Sequence, residues 1–172
     1  MISFFILATQ MFGPIYAIFV KDIGGDILEA GTAWAIFMLI SGLGIFIMGK
    51  AQDKIKKDKL FIIIGSALTC LGLLLYFFIS NIIQLFLVQI VLGIATMIAT
   101  PARDSFYTHY LEKGKFASQW AAWESSWYIV GGIAALLGAF IAKSFGFKTL
   151  FLVMFAMSLV GLLIATQLKE KK

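Results

Sequence analysis

The chain is poor in most of what a water-soluble domain is built from. Charged residues occupy 13% of its 172 positions, about half the usual share. There is one cysteine, one histidine and two prolines. The lone Cys70, inside an apolar run, excludes a disulfide framework and reads as a small hydrophobe. The lone His109 has no second metal-ligand type beside it, so no metal site is expected. No HExxH pair, nucleophile elbow, phosphate-cradling glycine loop or intramembrane aspartate pair occurs. Enzymatic chemistry is therefore not expected, and no cofactor is implied. A net charge of +5 would suit nucleic acid if the cations formed a face, but they sit in short connectors, so no nucleic-acid partner is expected.

What is abundant is apolar. Hydrophobic residues reach 61%, aromatics 15%, and the mean hydropathy is +0.97. Crossing the hydrocarbon of a bilayer takes about 20 such residues. Six stretches meet that length, at about 2–20, 30–48, 60–80, 82–100, 117–142 and 150–166. The chain thus reads as an all-α integral membrane protein, one six-helix domain over 1–172. The first run lacks a basic leader and a small-residue cleavage site, and is read as a retained helix.

Lysine and arginine set the orientation. The 49–59 connector holds five, the 101–116 connector three and the tail three, against Lys21, Lys143 and Lys148 on the other side. Eleven against three places both termini and those two connectors in the cytoplasm of a multi-pass protein of the cell (inner) membrane.

A faint repeat runs through the chain. An offset of 89 matches Ala33 to Ala122, Trp34 to Trp123, Ile40 to Ile129, Gly42 to Gly131 and Gly49 to Gly138. Because the second copy enters from the opposite face, this predicts two inverted three-helix repeats, the pattern of secondary transporters. Helices three and six are almost purely apolar and are expected to face lipid. Helices one, two, four and five carry the small residues, the tryptophans and Gln10, Gln84, Gln89 and Thr96, and are expected to face something else.

The 49–59 connector, GKAQDKIKKDK, resembles the loop between helices two and three of the major facilitator superfamily, G-x-x-x-D-[RK]-x-G-[RK]-[RK]. Gly49, Asp53, Lys54 and Lys57 match in register, Lys56 stands at the second glycine, and Asp58 stands where a basic residue is usual. PARDS at the end of helix four and FGFKTLF entering helix six add to the likeness, while the Gly-Pro motif of antiporters is missing from helix five. The resemblance covers the whole chain as an N-terminal six-helix half. It implies secondary-active transport of a small solute by alternating access, with the connector as a cytoplasmic gate. In that gate Asp53 would latch onto a second half, with Lys57, Arg103 and Asp104 completing a charge relay. The receiver would be a second copy, a separately encoded half or a further stretch of a longer chain. The bland reading of the connector is a topogenic signal alone.

Glu124 is the only formal charge inside an expected span, and intramembrane acids suggest function by default. Trp120, Trp123 and Trp127 share its helical face. An acid among aromatic rings would suit a hydrophobic or cationic solute being expelled, or would carry a coupling proton. It would equally suit a rim acid paired with Lys50 or Arg103, and the tryptophans an interfacial belt. Gln10, Gln89 and Thr96 are candidate cavity liners or interhelical hydrogen-bonders. Pro14 is expected to bend helix one. A scaffold or binding subunit that keeps the fold without transport is the alternative, and a membrane enzyme using Glu124 the weakest reading.

Overall fold

A computed structural model describes residues 2–168, all but the side chain of Ile2. The tail lysines Lys169, Lys171 and Lys172 lie outside the described residues. Five helical stretches are long and apolar enough to cross a bilayer: Ser3–Asp22, Ile27–Ile55, Asp58–Tyr76, Ile82–Thr108 and Phe116–Thr166.

The last stretch is two spans. At Gly146 the backbone leaves the helical region (φ 81°, ψ 168°) for a conformation that glycine alone adopts readily. On one side of it Gly138 lies against Met11, and on the other Gly161 lies against Phe5. A straight helix would hold those glycines about 35 Å apart, whereas Met11 and Phe5 are about 9 Å apart along their own span. The chain therefore doubles back, giving a fifth span over 116–145 and a sixth over 147–166, and the fold is an all-α membrane bundle.

Helices run beyond the apolar stretches expected to contain them. The second span is 29 residues long, about 44 Å against a hydrocarbon core of about 30 Å. It begins in a capping box, in which the Asp26 carboxylate accepts from the Glu29 amide at 2.8 Å and Glu29 accepts from the Asp26 amide at 2.9 Å. At the other end Lys, Ala and Gln are good helix formers, and they carry the helix on to Ile55. Of the expected 49–59 connector only Lys56 and Lys57 lie outside helices.

Pro14 has no N–H, and the first span is interrupted by a 3-10 turn at Gly13–Ile15. There the Ile15 amide donates to the Phe12 carbonyl at 3.1 Å, which leaves the Met11 carbonyl without its helical donor. Gly138 of the fifth span rests on that carbonyl so closely that a Cβ would collide with it.

Glycine contacts lay out the repeat. Gly44 meets Met97, and Gly93 meets Ile40, so spans two and four interlock; Gly65 and Gly72 set span three on Ala99 and Leu92 of span four. In the second copy Gly131 and Gly138 set span five on Gln10 and Met11, and Gly161 sets span six on Phe5. Span one thus does for five and six what span four does for two and three, as inverted three-helix repeats require.

Spans three and six each carry a buried face besides the exposed apolar face expected of them. Span three buries Ile62, Gly65, Ser66, Cys70, Gly72, Leu73 and Tyr76, and span six buries Phe151, Met154, Ser158 and Gly161 among others. They meet through Tyr76 and Phe151, stacked with centroids 5.1 Å apart. Both also expose large apolar side chains, among them Leu60, Leu71, Leu152 and Leu163, as spans two and five do at Leu43, Phe46, Ile133 and Phe140. Lipid tails are as apolar as leucine, so composition does not say which face of an apolar helix turns inward; small residues and polar pairs do.

Candidate functional site

Between the spans lies a cavity of about 370 Å³, a size that suits a small organic solute. Its wall takes residues from all six spans, including Gln10 and Tyr16 from the first, Trp34 from the second, Tyr76 from the third, Gln89 from the fourth, Trp127 from the fifth and Met154 from the sixth. Phe12 backs it: its ring makes edge contacts with Tyr16, Tyr76 and Phe151 at centroid distances of 5.3, 5.1 and 5.2 Å. Beside it Gln89 donates to the hydroxyls of Tyr16 and Tyr76 at 2.8 and 3.0 Å, binding spans one, three and four together. At the opposite end Arg103 lines the cavity and donates to Thr100 Oγ1 at 3.2 Å. From Gln89 to Arg103 is 14 helical residues, about 21 Å.

The residues singled out in the sequence fall into two places. Gln10, Gln89, Trp127, Thr96 and Arg103 line the cavity. Glu124 and Trp123 do not; Glu124 is exposed and interacts electrostatically with Asp104. Trp123 stacks on Tyr107 at 4.3 Å, Trp120 meets the same ring edge-on at 5.1 Å, and the Tyr107 hydroxyl donates to the Gln119 carbonyl at 2.7 Å. These aromatics clasp the end of span four to the start of span five.

The end carrying residues 49–59 is tied together by groups the motif leaves unnamed. Pro101 has no N–H to give the helix of span four. Nearby, the buried Gln52 donates from Nε2 to the Ile98 carbonyl at 2.8 Å. Gly49 lies opposite Pro101. Asp58 accepts from Ser105 Oγ at 2.8 Å, with His109 Nδ1 3.8 Å away. Asp53, Lys54 and Lys57 are exposed, and no ion pair joins Lys57 to Asp104 among the described residues. Lys56, at the position of the motif's second glycine, is left-handed (φ 54°, ψ 43°), the conformation that favours glycine.

Sequence reasoning missed Tyr16, Tyr76 and Gln52. A signal existed for the third span: Ile62, Ser66, Thr69, Leu73 and Tyr76, all on the cavity wall, recur at alternating spacings of four and three. Gln52 follows Gly49 by three, on the same helical face.

Comparison with known proteins agrees with this architecture. An uncharacterized MFS-type transporter of Methanocaldococcus jannaschii is 26% identical over 142 residues, 83% of this chain and 36% of that protein. The multidrug resistance protein MdtG of Salmonella typhimurium is 25% identical over 152 residues, 86% of this chain and 37% of its own length. The uncharacterized MFS-type transporter YitZ of Bacillus subtilis is 23% identical, with 84% of this chain matching 87% of that protein. The chain thus spans little more than a third of the first and second of these relatives. A family model described as Major Facilitator Superfamily matches residues 1–171, and with six apolar spans in two inverted repeats the chain is a multi-pass membrane protein that belongs to that superfamily.

Proposed function

We propose that the chain forms the solute-binding six-helix half of a secondary carrier in the cell membrane and moves small, mainly apolar solutes by alternating access. The observation that carries this reading is the cavity of about 370 Å³, walled by every span and rich in aromatic rings. Relatives named as MFS-type transporters and a multidrug resistance protein support membrane transport, and the apolar wall suits hydrophobic compounds as its cargo. The cationic part of the sequence expectation has less support, since Arg103 is the charged residue lining the cavity and Glu124 stands outside it.

The 49–59 end is assigned to the cytoplasm, as the cluster of Lys50, Lys54, Lys56, Lys57 and Lys59 favours. Gly49, Asp53, Lys54, Lys57, Arg103 and Asp104 form its gate, and the exposed Asp53 latches onto a second six-helix half. Glu124, coupled electrostatically to Asp104, belongs to that charge network and carries the coupling proton. No enzymatic step is assigned. A non-transporting scaffold of the same fold is the competing reading.

Efflux of Nile red from preloaded, energised cells tests the reading. Expression of the protein is expected to speed dye loss several-fold, Trp127→Ala to remove most of the gain, and an uncoupler to abolish it. Glu124→Gln is expected to erase the dependence on the proton gradient while dye binding by the purified protein changes less than twofold. Dye loss equal to that of cells without the protein would sink the carrier reading, and a stable co-purifying partner would then favour the scaffold.

A further inference from the structure

Gln89 is 2% exposed, and Tyr16 and Tyr76, which accept its two amide hydrogen bonds, are 8% and 3% exposed. The three side chains carry four polar hydrogens, two on the amide and one on each phenol. Two are spent inside the triad, and neither tyrosine hydroxyl donates to another described residue. All three side chains line the cavity. A buried donor without an acceptor costs free energy that a suitably placed oxygen recovers.

Gln10, Ser66 and Thr96 add polar groups to the wall, while two other hydroxyls are spent within their own helices. Thr9 and Thr69 donate to the Phe5 and Gly65 carbonyls at 2.8 and 2.9 Å. Arg103 stands about 21 Å along the fourth span from Gln89. Among the described residues no carboxylate lines the cavity to pair with an ammonium group. Trp34 is 44% exposed, lines the cavity and lies 5.9 Å from the Tyr16 ring, which places a flat apolar face next to the donors.

We propose that the cavity selects flat, apolar solutes bearing a carbonyl-type oxygen, which seats between the hydroxyls of Tyr16 and Tyr76. The proposal rests on the cavity being the solute site. The two N–H directions of an amide diverge by about 120°, which sets the phenol oxygens about 5 Å apart. One acceptor oxygen about 3.0 Å from each fits that gap on the side away from the Gln89 nitrogen, with the ring it is attached to lying along Trp34. The recognised chemistry is the acceptor oxygen, whether of a neutral ketone or of a carboxylate.

Three matched probes separate the outcomes when titrated against the protein in lipid nanodiscs by tryptophan quenching, with empty nanodiscs as the blank. They are 2-acetylnaphthalene, its oxygen-free analogue 2-isopropenylnaphthalene, and 2-naphthoate. The ketone is expected to bind about tenfold more tightly than the oxygen-free analogue, as two modest hydrogen bonds allow. Tyr16→Phe and Tyr76→Phe should each cut that ratio about threefold, and together bring it close to one, with the analogue's own affinity constant within twofold. Naphthoate binding more tightly than the ketone, with the same loss in the variants, would support the anionic form of the same acceptor. Equal binding of ketone and analogue to the wild-type protein overturns the proposal and leaves the cavity reading standing, as does a ratio that survives in the double variant. Binding of none of the probes overturns both.

Discussion

Single residues carry more than their composition suggests. Lys56 is the clearest case, because a non-glycine residue there holds a left-handed backbone between two long helices. An L-residue in that region costs about 1–2 kcal/mol, and a β-branched one more. Lys56→Val is therefore expected to lower stability by the extra strain of its branched Cβ, on the order of 1 kcal/mol beyond what Lys56 already bears, whereas Lys56→Gly should not lower it. Denaturant titration of the protein in detergent micelles checks both, and a Val variant as stable as the wild type would contradict the strain. The same scale shows why Gln52 escaped notice. A glutamine among lysines reads as solvated, and only the Ile98 carbonyl on another span, 46 residues away in sequence, reveals it as a buried tie. Its Oε1 is buried with no partner among the described residues.

Spans are held in register by where backbones touch. Gly138 presses against the Met11 carbonyl that the Pro14 interruption leaves unpaired, so an added side chain would drive spans one and five apart. Gly138→Val is expected to cost about 1–3 kcal/mol, the range of overpacking, and to lower the yield of monodisperse protein. Gly132, six residues earlier, faces open space, and Gly132→Ala should be neutral or slightly stabilising. Equal behaviour of the two variants in size-exclusion profile and melting temperature would refute the close contact. The existence of the spans was legible in the sequence because a long apolar run in a chain with few charges has only one stable place. The inward face was legible only in part: Ser66, Thr69 and Tyr76 mark it in span three, but they stand among so many Ile, Leu and Phe that the span as a whole has the composition of lipid scaffold.

For the whole molecule, the decisive asymmetry is charge. If the 49–59 end is cytoplasmic, a single cysteine at Lys54 in a Cys70→Ala background should resist a membrane-impermeant maleimide added to intact cells. One at Ser144, exposed at the end of span five beside the Gly146 break, should react. The reverse pattern would invert the proposed orientation, and with it the side on which the gate closes. The cavity belongs to this scale as well, since no span builds it alone and its aromatic and polar wall exists only when all six are packed.

The amino-acid sequence by itself determined the class of the protein, the six spans, the internal repeat and the side rich in lysine, because each depends on local composition or on a simple count of charges. Tertiary structure decided which polar groups meet. Tyr16, Tyr76 and Gln89 lie on three spans, with 73 and 13 residues separating the tyrosines from the glutamine. In lipid, hydropathy does not turn a helix toward its partners; close glycine contacts and the need to satisfy buried hydrogen-bonding groups do, and both become visible only when the spans are assembled.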